Sequence, residues 1–423
     1  MRTRLTELVR TAHFVPLATA TLMLGVALSF TAPYLSLFGI EEASMSPLRL
    51  GVFMTLVSAS GVLASTAAGR WSDRRGRHRG MLVASLVAAT LGFASLSFVR
   101  GYAALTVVGL VLLGPGAASL SQIFAFGRAA LRIEDPAQSE FASATLRTLL
   151  SVAWVFGPAV GALILAQAGF KGLFAFAAAS FAASAVIALR IAETGADSPK
   201  IAVVADARSA SVPVTGAIGD KASNEALAAY ARRAIPRILI ALGTIGLVAN
   251  ATMILLPLYL LHALNGTRLA VSAALGTGAL LEIPMMLWLG VMSSRLHKPK
   301  WLTAAAAVHA AYFVALAAIS DPWAVVPLQA LSATVVAITS CLGMTYIQDL
   351  MPGETGAATA LFFNASRVGS ILAGVLSGTI VGAFGYRAAF LLCAALAVFA
   401  FALLSFDSVQ LNKASARAAV RRA

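Results

Sequence analysis

The chain has 423 residues, of which 59% are hydrophobic and 11% are charged, whereas a soluble domain carries about 25% charged residues. This composition excludes a soluble globular protein, because no soluble core could bury so much apolar surface. The net charge of +14 could suggest a nucleic-acid partner. The basic residues lie between apolar segments, however, where they set membrane topology, so we predict no nucleic-acid partner.

Apolar segments of about 20 residues, the length at which a helix crosses a bilayer, recur along the chain. They are rich in Ala, Leu, Val and Gly and lack the alternating pattern of a membrane β-barrel. The predicted helices cover residues 14–38, 49–69, 80–99, 102–127, 141–166, 170–190, 237–262, 268–293, 301–320, 322–347, 355–383 and 387–406. The sequence thus predicts an all-α membrane protein with twelve transmembrane helices in the bilayer.

Basic residues are distributed unequally between the two sides of the predicted membrane. Of the 31 lysines and arginines, 24 fall in the termini and the even-numbered loops, and five fall in the other loops. Since basic loops stay in the cytoplasm, we predict a bacterial inner-membrane protein with both termini cytoplasmic. The polar stretch 191–236 is interpreted as a cytoplasmic linker. It separates an N-terminal six-helix bundle, 1–190, from a C-terminal six-helix bundle with a cytoplasmic tail, 237–423.

The last two helices of each half resemble each other at an offset of 216 residues. The matched positions include Pro136 with Pro352, Gly169-Phe170-Lys171 with Gly385-Tyr386-Arg387, and Phe174 with Phe390. Chance matches are common among alanine-rich helices, so the aligned proline and the Gly-aromatic-basic turn carry most of the weight. A parallel repeat of this kind predicts two pseudo-symmetric bundles.

The loop after the second predicted helix carries a dense motif of glycine, aspartate and arginine. It reads Gly69-Arg-Trp-Ser-Asp73-Arg74-Arg-Gly76-Arg77. An ordinary cytoplasmic loop explains the arginines, but it does not require Asp73 between two glycines. The motif resembles the loop signature of the major facilitator superfamily, with tryptophan where leucine is usual. That resemblance implies a secondary transporter in which two six-helix bundles enclose a cleft.

We expect this gating motif to close the cytoplasmic side of the cleft. Gly69 and Gly76 provide small residues, and Gly69 allows close helix packing. Asp73 can face the positive N-terminus of the eleventh helix, while Arg74 and Arg77 can pair with acids on neighbouring loops. Such contacts exist only when that side is shut, so they favour the outward-open state.

The second half keeps part of the same motif. Its counterpart runs from Gly290 to Lys298 and has Ser294 where aspartate is expected. We therefore expect a weaker gate contact from that half.

The fifth predicted helix contains a Gly-Pro-x-x-Gly element formed by Gly157, Pro158 and Gly161. Proline removes a backbone hydrogen bond, and glycine allows helices to cross closely, so we predict a helix-packing role. Alone the element is a weak signal. It resembles an element of antiporters and exporters in the superfamily, which implies efflux.

Several further stretches resemble the bacterial sugar efflux transporter family within this superfamily. They are 32–38, 122–126, 146–158, 281–284, 348–359 and 371–374, of which 348–359 (QDLMPGETGAAT) is the most specific. The resemblance spans both halves in order and implies proton-driven export of sugars or glycosides by alternating access. Arg367 departs from the pattern, because a small or uncharged residue is expected there, and it could narrow the substrate range.

Charged residues inside transmembrane helices are costly and usually functional. Glu282 lies in the eighth predicted helix and Arg147 in the fifth, and in this fold those helices meet at the boundary between the halves. We hypothesise that the two side chains approach each other and couple transport to protons. An arginine favours the ionised carboxylate, and its departure favours protonation. A static structural ion pair is the alternative.

Sugars need neutral hydrogen-bonding groups and an aromatic surface. The predicted substrate-binding residues are Tyr34, Gln122, Asn250, Gln329, Asn364 and Arg367. Hydrogen bonding between helices explains the polar members equally well. His309 is interpreted as structural or outward-facing, because the ninth helix is peripheral in this fold, and Trp154 as a packing residue.

Other functional classes lack their sequence motifs. No Gly-x4-Gly-Lys-Ser/Thr loop for ATP is present, and the five histidines are too scattered for a metal centre. We therefore predict a monomeric transporter that is not an enzyme and needs no cofactor or metal. The main alternative is proton-antiport efflux of drugs or other small molecules, although two buried arginines against one glutamate disfavour cationic drugs.

Overall fold

The computed structural model of the chain describes residues 8–131, 136–191, 219–292, 295–351 and 355–420. Those residues are helical almost throughout, and no β-strand occurs among them. Ten of the described helices are long and apolar enough to cross a membrane. The predicted all-α membrane architecture is therefore confirmed.

The first half contains four helices and one long bent helix. The four are α1 (Phe14–Glu41), α2 (Pro47–Arg75), α3 (His78–Leu96) and α4 (Tyr102–Leu131). The stretch Pro136–Arg190 leaves helical geometry at Gly169, and its arms, 136–168 and 170–190, are α5 and α6. The predicted boundaries agree with these helices to within a few residues, except that α5 begins earlier.

The second half repeats this pattern. Its helices are α7 (Gly219–Leu258, continued by the π-helical turn Tyr259–Ala263), α8 (Arg268–Met292), α9 (Lys298–Ala318) and α10 (Pro322–Leu350). The stretch Thr355–Val420 leaves helical geometry at Gly385, and its arms, 355–384 and 386–420, are α11 and α12. Because α7 begins inside the predicted linker and 192–218 lie outside the described residues, the domain boundaries stay a prediction.

The two bends are the same backbone event in both halves. Gly169 has φ 62° and ψ −169°, and Gly385 has φ 80° and ψ 177°, a region that is essentially restricted to glycine. Among the described residues no atom lies within 4 Å of where a Cβ would stand at either position. Glycine is thus required for its backbone conformation. The apolar parts of the two bent helices, Thr148–Arg190 with 43 residues and Leu361–Asp407 with 47 residues, are each about twice the length of one bilayer crossing. Dividing both at these glycines yields twelve helical segments.

Three aromatic rings pack beside each bend in matching positions. In the first half, the Phe38 ring lies 4.9 Å from Phe174 and 5.7 Å from Phe170. In the second half, the Tyr259 ring lies 4.9 Å from Phe390 and 6.2 Å from Tyr386. The two bends are therefore supported by equivalent aromatic clusters.

Among the described residues, three helix pairs make the most extensive contacts between the halves. Helix α2 packs on α11, α5 packs on α8, and α1 packs on α7. The pairs α2–α11 and α5–α8 are equivalent when the halves are exchanged. The boundary between the halves thus has the approximate two-fold symmetry that the repeat predicts.

Candidate functional site

A cavity of about 690 Å³ lies at the boundary between the halves. Helix α5 supplies part of its wall from the first half, and α7, α8, α9 and α10 supply the rest from the second. The polar side chains of the wall include Thr148, Asn250, Glu282, His309, Gln329 and Ser332. Trp154 of α5 adds a large aromatic surface. The wall therefore combines neutral hydrogen-bonding groups with one aromatic plate.

Glu282 of α8 is the acidic residue of this wall. Within the described ranges, its carboxylate has neither an ion-pair nor a hydrogen-bond partner. The predicted partner, Arg147, stands on α5 directly before Thr148, which lines the cavity. The Arg147 side chain lies outside the described part of the structure, so the pairing stays a prediction.

Gln329 and Asn250 present amides to the cavity. The Gln329 Nε2 donates to the Tyr312 hydroxyl at 3.2 Å and to the Val325 carbonyl at 3.4 Å. The Asn250 Nδ2 donates to the Gly246 carbonyl of its own helix at 2.8 Å. With these N–H groups engaged, the side-chain carbonyl oxygens of Gln329 and Asn250 remain as acceptors for a ligand.

His309 of α9 also lines the cavity, although the sequence suggested a structural or outward-facing residue. Its side chain is 2% exposed, and its ring lies 4.6 Å from that of Phe313. The helical spacing of His309, Tyr312 and Phe313 puts them on one face. That polar and aromatic face was the signal for an inward orientation, and the assumption of a peripheral α9 concealed it.

Two predicted binding residues lie outside the cavity wall in buried positions. The Tyr34 hydroxyl donates to the Pro158 carbonyl at 2.7 Å and lies 2.9 Å from the Ser272 hydroxyl. Gln122 of α4 is 1% exposed, and its Oε1 has no hydrogen-bond partner among the described residues. The structure therefore assigns Tyr34 to a contact between α1, α5 and α8.

The other two predicted binding residues lie on α11, also outside the wall. Asn364 is exposed. The Arg367 guanidinium donates to the Thr66 hydroxyl of α2 at 3.4 Å. Arg367 therefore links the two halves in this structure.

The α2–α11 interface brings backbone against backbone. A Cβ at Gly51 would lie 2.5 Å from the Gly374 carbonyl oxygen. The Thr55 hydroxyl donates to the Ile371 carbonyl at 2.8 Å and accepts from the Val375 N–H at 2.9 Å. Since a side chain at Gly51 or Gly374 would force these helices apart, the halves are tightly joined here.

The Gly-Pro-x-x-Gly element packs on α1 next to this interface. A Cβ at Gly161 would lie 3.0 Å from both the Phe30 carbonyl oxygen and the Tyr34 ring, and one at Gly157 would overlap the Ser29 side chain. Both glycines thus occupy positions that admit no larger residue without movement of α1.

Glu41, the last residue of α1, makes further contacts between the halves. Its carboxylate lies 3.2 Å from the Arg268 guanidinium and 3.8 Å from the His262 ring, both in the second half. We name the inter-half contacts at this end the closed seam: Glu41 with Arg268, Tyr34 with Ser272, and Gly51 and Thr55 with Gly374 and Val375. The closed seam shuts one end of the boundary between the halves.

The gating motif lies at the opposite end of α2 and makes no comparable contact. Among the described residues, no atom lies within 4 Å of a Cβ placed at Gly69 or Gly76. Arg74 and Arg77 are exposed, and the Asp73 side chain lies outside the described part of the structure. The described side chains of the motif are therefore not packed between the halves here.

The family profile described as "Major Facilitator Superfamily" matches residues 17–374 and 238–421. A protein of Deinococcus radiodurans, provisionally named a sugar efflux transporter, is 36% identical over 93% of this chain and 97% of its own length. Sugar efflux transporter A of Escherichia coli is 30% identical over 90% of this chain and 92% of its own length. These relatives are named as transporters, so the chain is a membrane transporter and not an enzyme.

Solved structures of transporters share the fold. The nucleoside transporter NupG superposes with a TM-score of 0.70 at 14% identity, and the match covers 93% of this chain and 98% of NupG. The POT family transporter PepTSo gives a TM-score of 0.71 at 13% identity, with coverage of 95% and 99%. At such identities the likeness concerns the fold alone. Together with the profile and the relatives, it shows that the chain belongs to the major facilitator superfamily.

Proposed function

We propose that this transporter exports sugars or glycosides by alternating access and that protons drive the export. The cavity carries the proposal. Its volume of about 690 Å³ lies within the range of roughly 300–1,000 Å³ that is usual for small-molecule sites. Amides, hydroxyls and one indole suit a neutral polyol, and the relatives named as sugar efflux transporters support both the substrate class and the direction.

Proton coupling is assigned to Glu282. Its carboxylate has no partner among the described residues, and the approach or withdrawal of a positive charge changes whether such a group holds a proton. Arg147 stands on α5, which packs on α8, and is the residue we propose to approach and withdraw. A permanent Arg147–Glu282 ion pair is the structural alternative, and it predicts no pH dependence.

Alternating access is supported by the difference between the two ends of the boundary. The gating motif lies in a basic loop. We assign this loop and both termini to the cytoplasmic side of the bacterial inner membrane. The closed seam then faces outward. We propose that the conformation described here is closed to the outside. In the outward-open conformation, Gly51 separates from Gly374 and Gly69 packs against α11. The protein is proposed to work as a monomer.

The proposal is tested with inverted membrane vesicles, in which export appears as uptake. Vesicles with the transporter and vesicles from cells without it are given a panel of radiolabelled sugars, with and without a proton gradient. We expect accumulation of at least one sugar that depends on both the transporter and the gradient. Transport of dyes or drugs without any sugar signal supports the alternative of multidrug efflux. Sugar uptake that ignores the gradient contradicts proton coupling.

A further inference from the structure

His309 is a buried polar side chain whose hydrogen-bonding capacity is unused. It is 2% exposed, and its Nδ1 has no hydrogen-bond partner among the described residues. Burying a polar atom without a partner costs free energy, and most buried polar atoms in native proteins have one. Its other ring nitrogen, Nε2, also has no hydrogen-bond partner among the described residues and is not closed off in the same way. Because His309 lines the cavity, Nε2 is the nitrogen that a bound ligand can reach.

Packing alone does not explain a histidine at this position. Its ring contacts Phe313 at 4.6 Å and lies 6.2 Å from the Tyr312 ring, and a phenylalanine could make both aromatic contacts without an unpaired nitrogen. Tyr312 accepts its hydrogen bond from Gln329 instead. The imidazole nitrogen is thus the feature that distinguishes histidine from a purely apolar ring here.

Gln329 supplies the second half of this arrangement. Its two N–H groups are directed to Tyr312 and Val325, so its carbonyl oxygen remains as an acceptor. Because Tyr312 stands one helical turn after His309, this hydrogen bond ties the Gln329 amide to the face of α9 that carries the imidazole. The wall therefore presents an imidazole nitrogen and an amide oxygen from neighbouring helices.

We propose that His309 is a substrate-binding and specificity-determining residue that hydrogen-bonds one hydroxyl group of the sugar through its ring nitrogen. This inference rests on the proposed function, because it names the recognition element for that substrate class. A site that holds a buried polar group for a substrate hydroxyl discriminates strongly against an analogue without it, since the protein atom is then left unpaired.

The test pairs a change in the protein with a change in the sugar. Binding of glucose, lactose and their monodeoxy analogues is measured by calorimetry on the purified full chain. We expect the wild type to lose at least about tenfold in affinity for one analogue. In His309→Phe, which keeps an aromatic ring beside Phe313, the affinity for the parent sugar falls by a similar factor. We call the ratio of the affinity for the parent sugar to that for a deoxy analogue the deoxy penalty. In His309→Phe the penalty for that one analogue falls to about one, while the penalties for the other analogues are unchanged.

Two more variants separate hydrogen bonding from packing. Glutamine places a polar atom near the position of Nε2, whereas leucine fills space without one. We expect His309→Gln to retain part of the discrimination and His309→Leu to lose it. They also allow the comparison if the phenylalanine variant does not fold. The matched control is His297→Phe, because His297 is exposed at the start of α9 and makes no capping hydrogen bond.

The outcomes are distinguishable. If the wild type binds neither glucose nor lactose nor any sugar of the transport panel, both the proposed function and this inference are overturned. If the wild type binds sugar and His309→Phe or His309→Leu keeps every deoxy penalty, the role of His309 is wrong while the proposed function stands. Collapse of a single penalty in those variants, with the His297→Phe control unchanged, supports the inference.

Discussion

The two halves share the same bends and aromatic clusters. They differ in how they use one corresponding pair of helices, α2 with α4 in the first half and α8 with α10 in the second. Gly61 precedes Gly69 by eight residues, as Glu282 precedes Gly290. In the first half, a Cβ at Gly61 would lie 3.4 Å from the Gly114 carbonyl oxygen of α4, so α2 and α4 pack closely. In the second half, Glu282 and α10 line a cavity.

This difference teaches which features the repeat preserves. The bends at Gly169 and Gly385 and their aromatic clusters determine how each chain segment turns, so both halves need them. The cavity that α8 and α10 help to line is the proposed ligand site, and one such cavity is sufficient. Symmetric features therefore indicate folding requirements, and asymmetric ones indicate function.

The largest effect on transport is expected from a change at Glu282, the charged residue that corresponds to Gly61 in the first half. Glu282→Gln removes the carboxylate that we propose to bind and release a proton, so gradient-driven sugar accumulation in inverted vesicles should fall to the level of vesicles without transporter. Exchange of labelled for unlabelled sugar across the membrane should persist, because it needs no net proton movement.

The matched control for this variant is Glu42→Gln. Glu42 pairs with Arg100 at 3.0 Å within the first half and is remote from the cavity wall. Full gradient-driven accumulation in Glu282→Gln would remove this residue from the coupling mechanism, whereas a loss in both variants would indicate a nonspecific effect.

A larger side chain between α2 and α4 should lower stability, whereas a larger side chain on the cavity side of α8 should weaken sugar binding. Gly61→Leu inserts a side chain between α2 and α4, so thermal unfolding in detergent should show a loss of stability of about 3 kcal/mol, the upper end for overpacking. Ala279→Leu adds three carbons to a residue of the cavity wall. It should weaken sugar binding and leave the unfolding temperature nearly unchanged. Equal loss of stability in both variants would contradict the contrast between the halves.

The two bends should respond alike, because their backbone conformations are alike. Gly169→Ala and Gly385→Ala each force a residue with a Cβ into a region that costs about 1–3 kcal/mol, measured by thermal unfolding. The double variant should show roughly the sum, since the sites are distant. Gly101→Ala is the control, because Gly101 also has open space around it but a φ of −68°. An undisturbed Gly385→Ala would show that the second bend does not require glycine.

The smallest effect is expected at the closed seam. Glu41→Gln removes an exposed inter-half ion pair, worth about 1 kcal/mol or less, so the outward-open population should rise by about fivefold at most. With Cys341 and Cys393 replaced by serine, the measurement is the rate at which an impermeant thiol reagent labels Ala279→Cys from outside. Glu42→Gln, whose partner lies in its own half, should leave that rate unchanged, and an equal rise in both variants would contradict the assignment.

The sequence was sufficient for the helices and for much of their arrangement. Hydropathy located the spans, and the triplets at Gly169 and Gly385 predicted a turn that the backbone repeats in both halves. These features are local, because a lipid-facing helix must be apolar along its length and a glycine-only backbone requires glycine. The superfamily resemblance is likewise supported by the profile and the relatives.

The site was harder to predict, because hydropathy does not say which side of a buried helix faces a ligand. Asn250, Glu282 and Gln329 lie in the cavity wall, whereas His309 was interpreted as structural or outward-facing and lies there as well. Tyr34 has an aromatic ring and a hydroxyl, which suit sugar binding, but its hydroxyl instead hydrogen-bonds to Pro158 and Ser272. Such contacts join residues more than 100 positions apart, and they also depend on the conformation, so a single sequence carries no direct signal for them.

The glycine contacts between α2 and α11 have a consequence for how fast this end could open. Larger residues would have to rearrange their rotamers whenever such a surface separates and re-forms, and each ordered side chain carries an entropic cost. Gly51 and Gly374 have no rotamers to rearrange. At these two positions the helices can therefore part and rejoin without reordering any side chain, which suits the repeated opening and closing that we propose for this end.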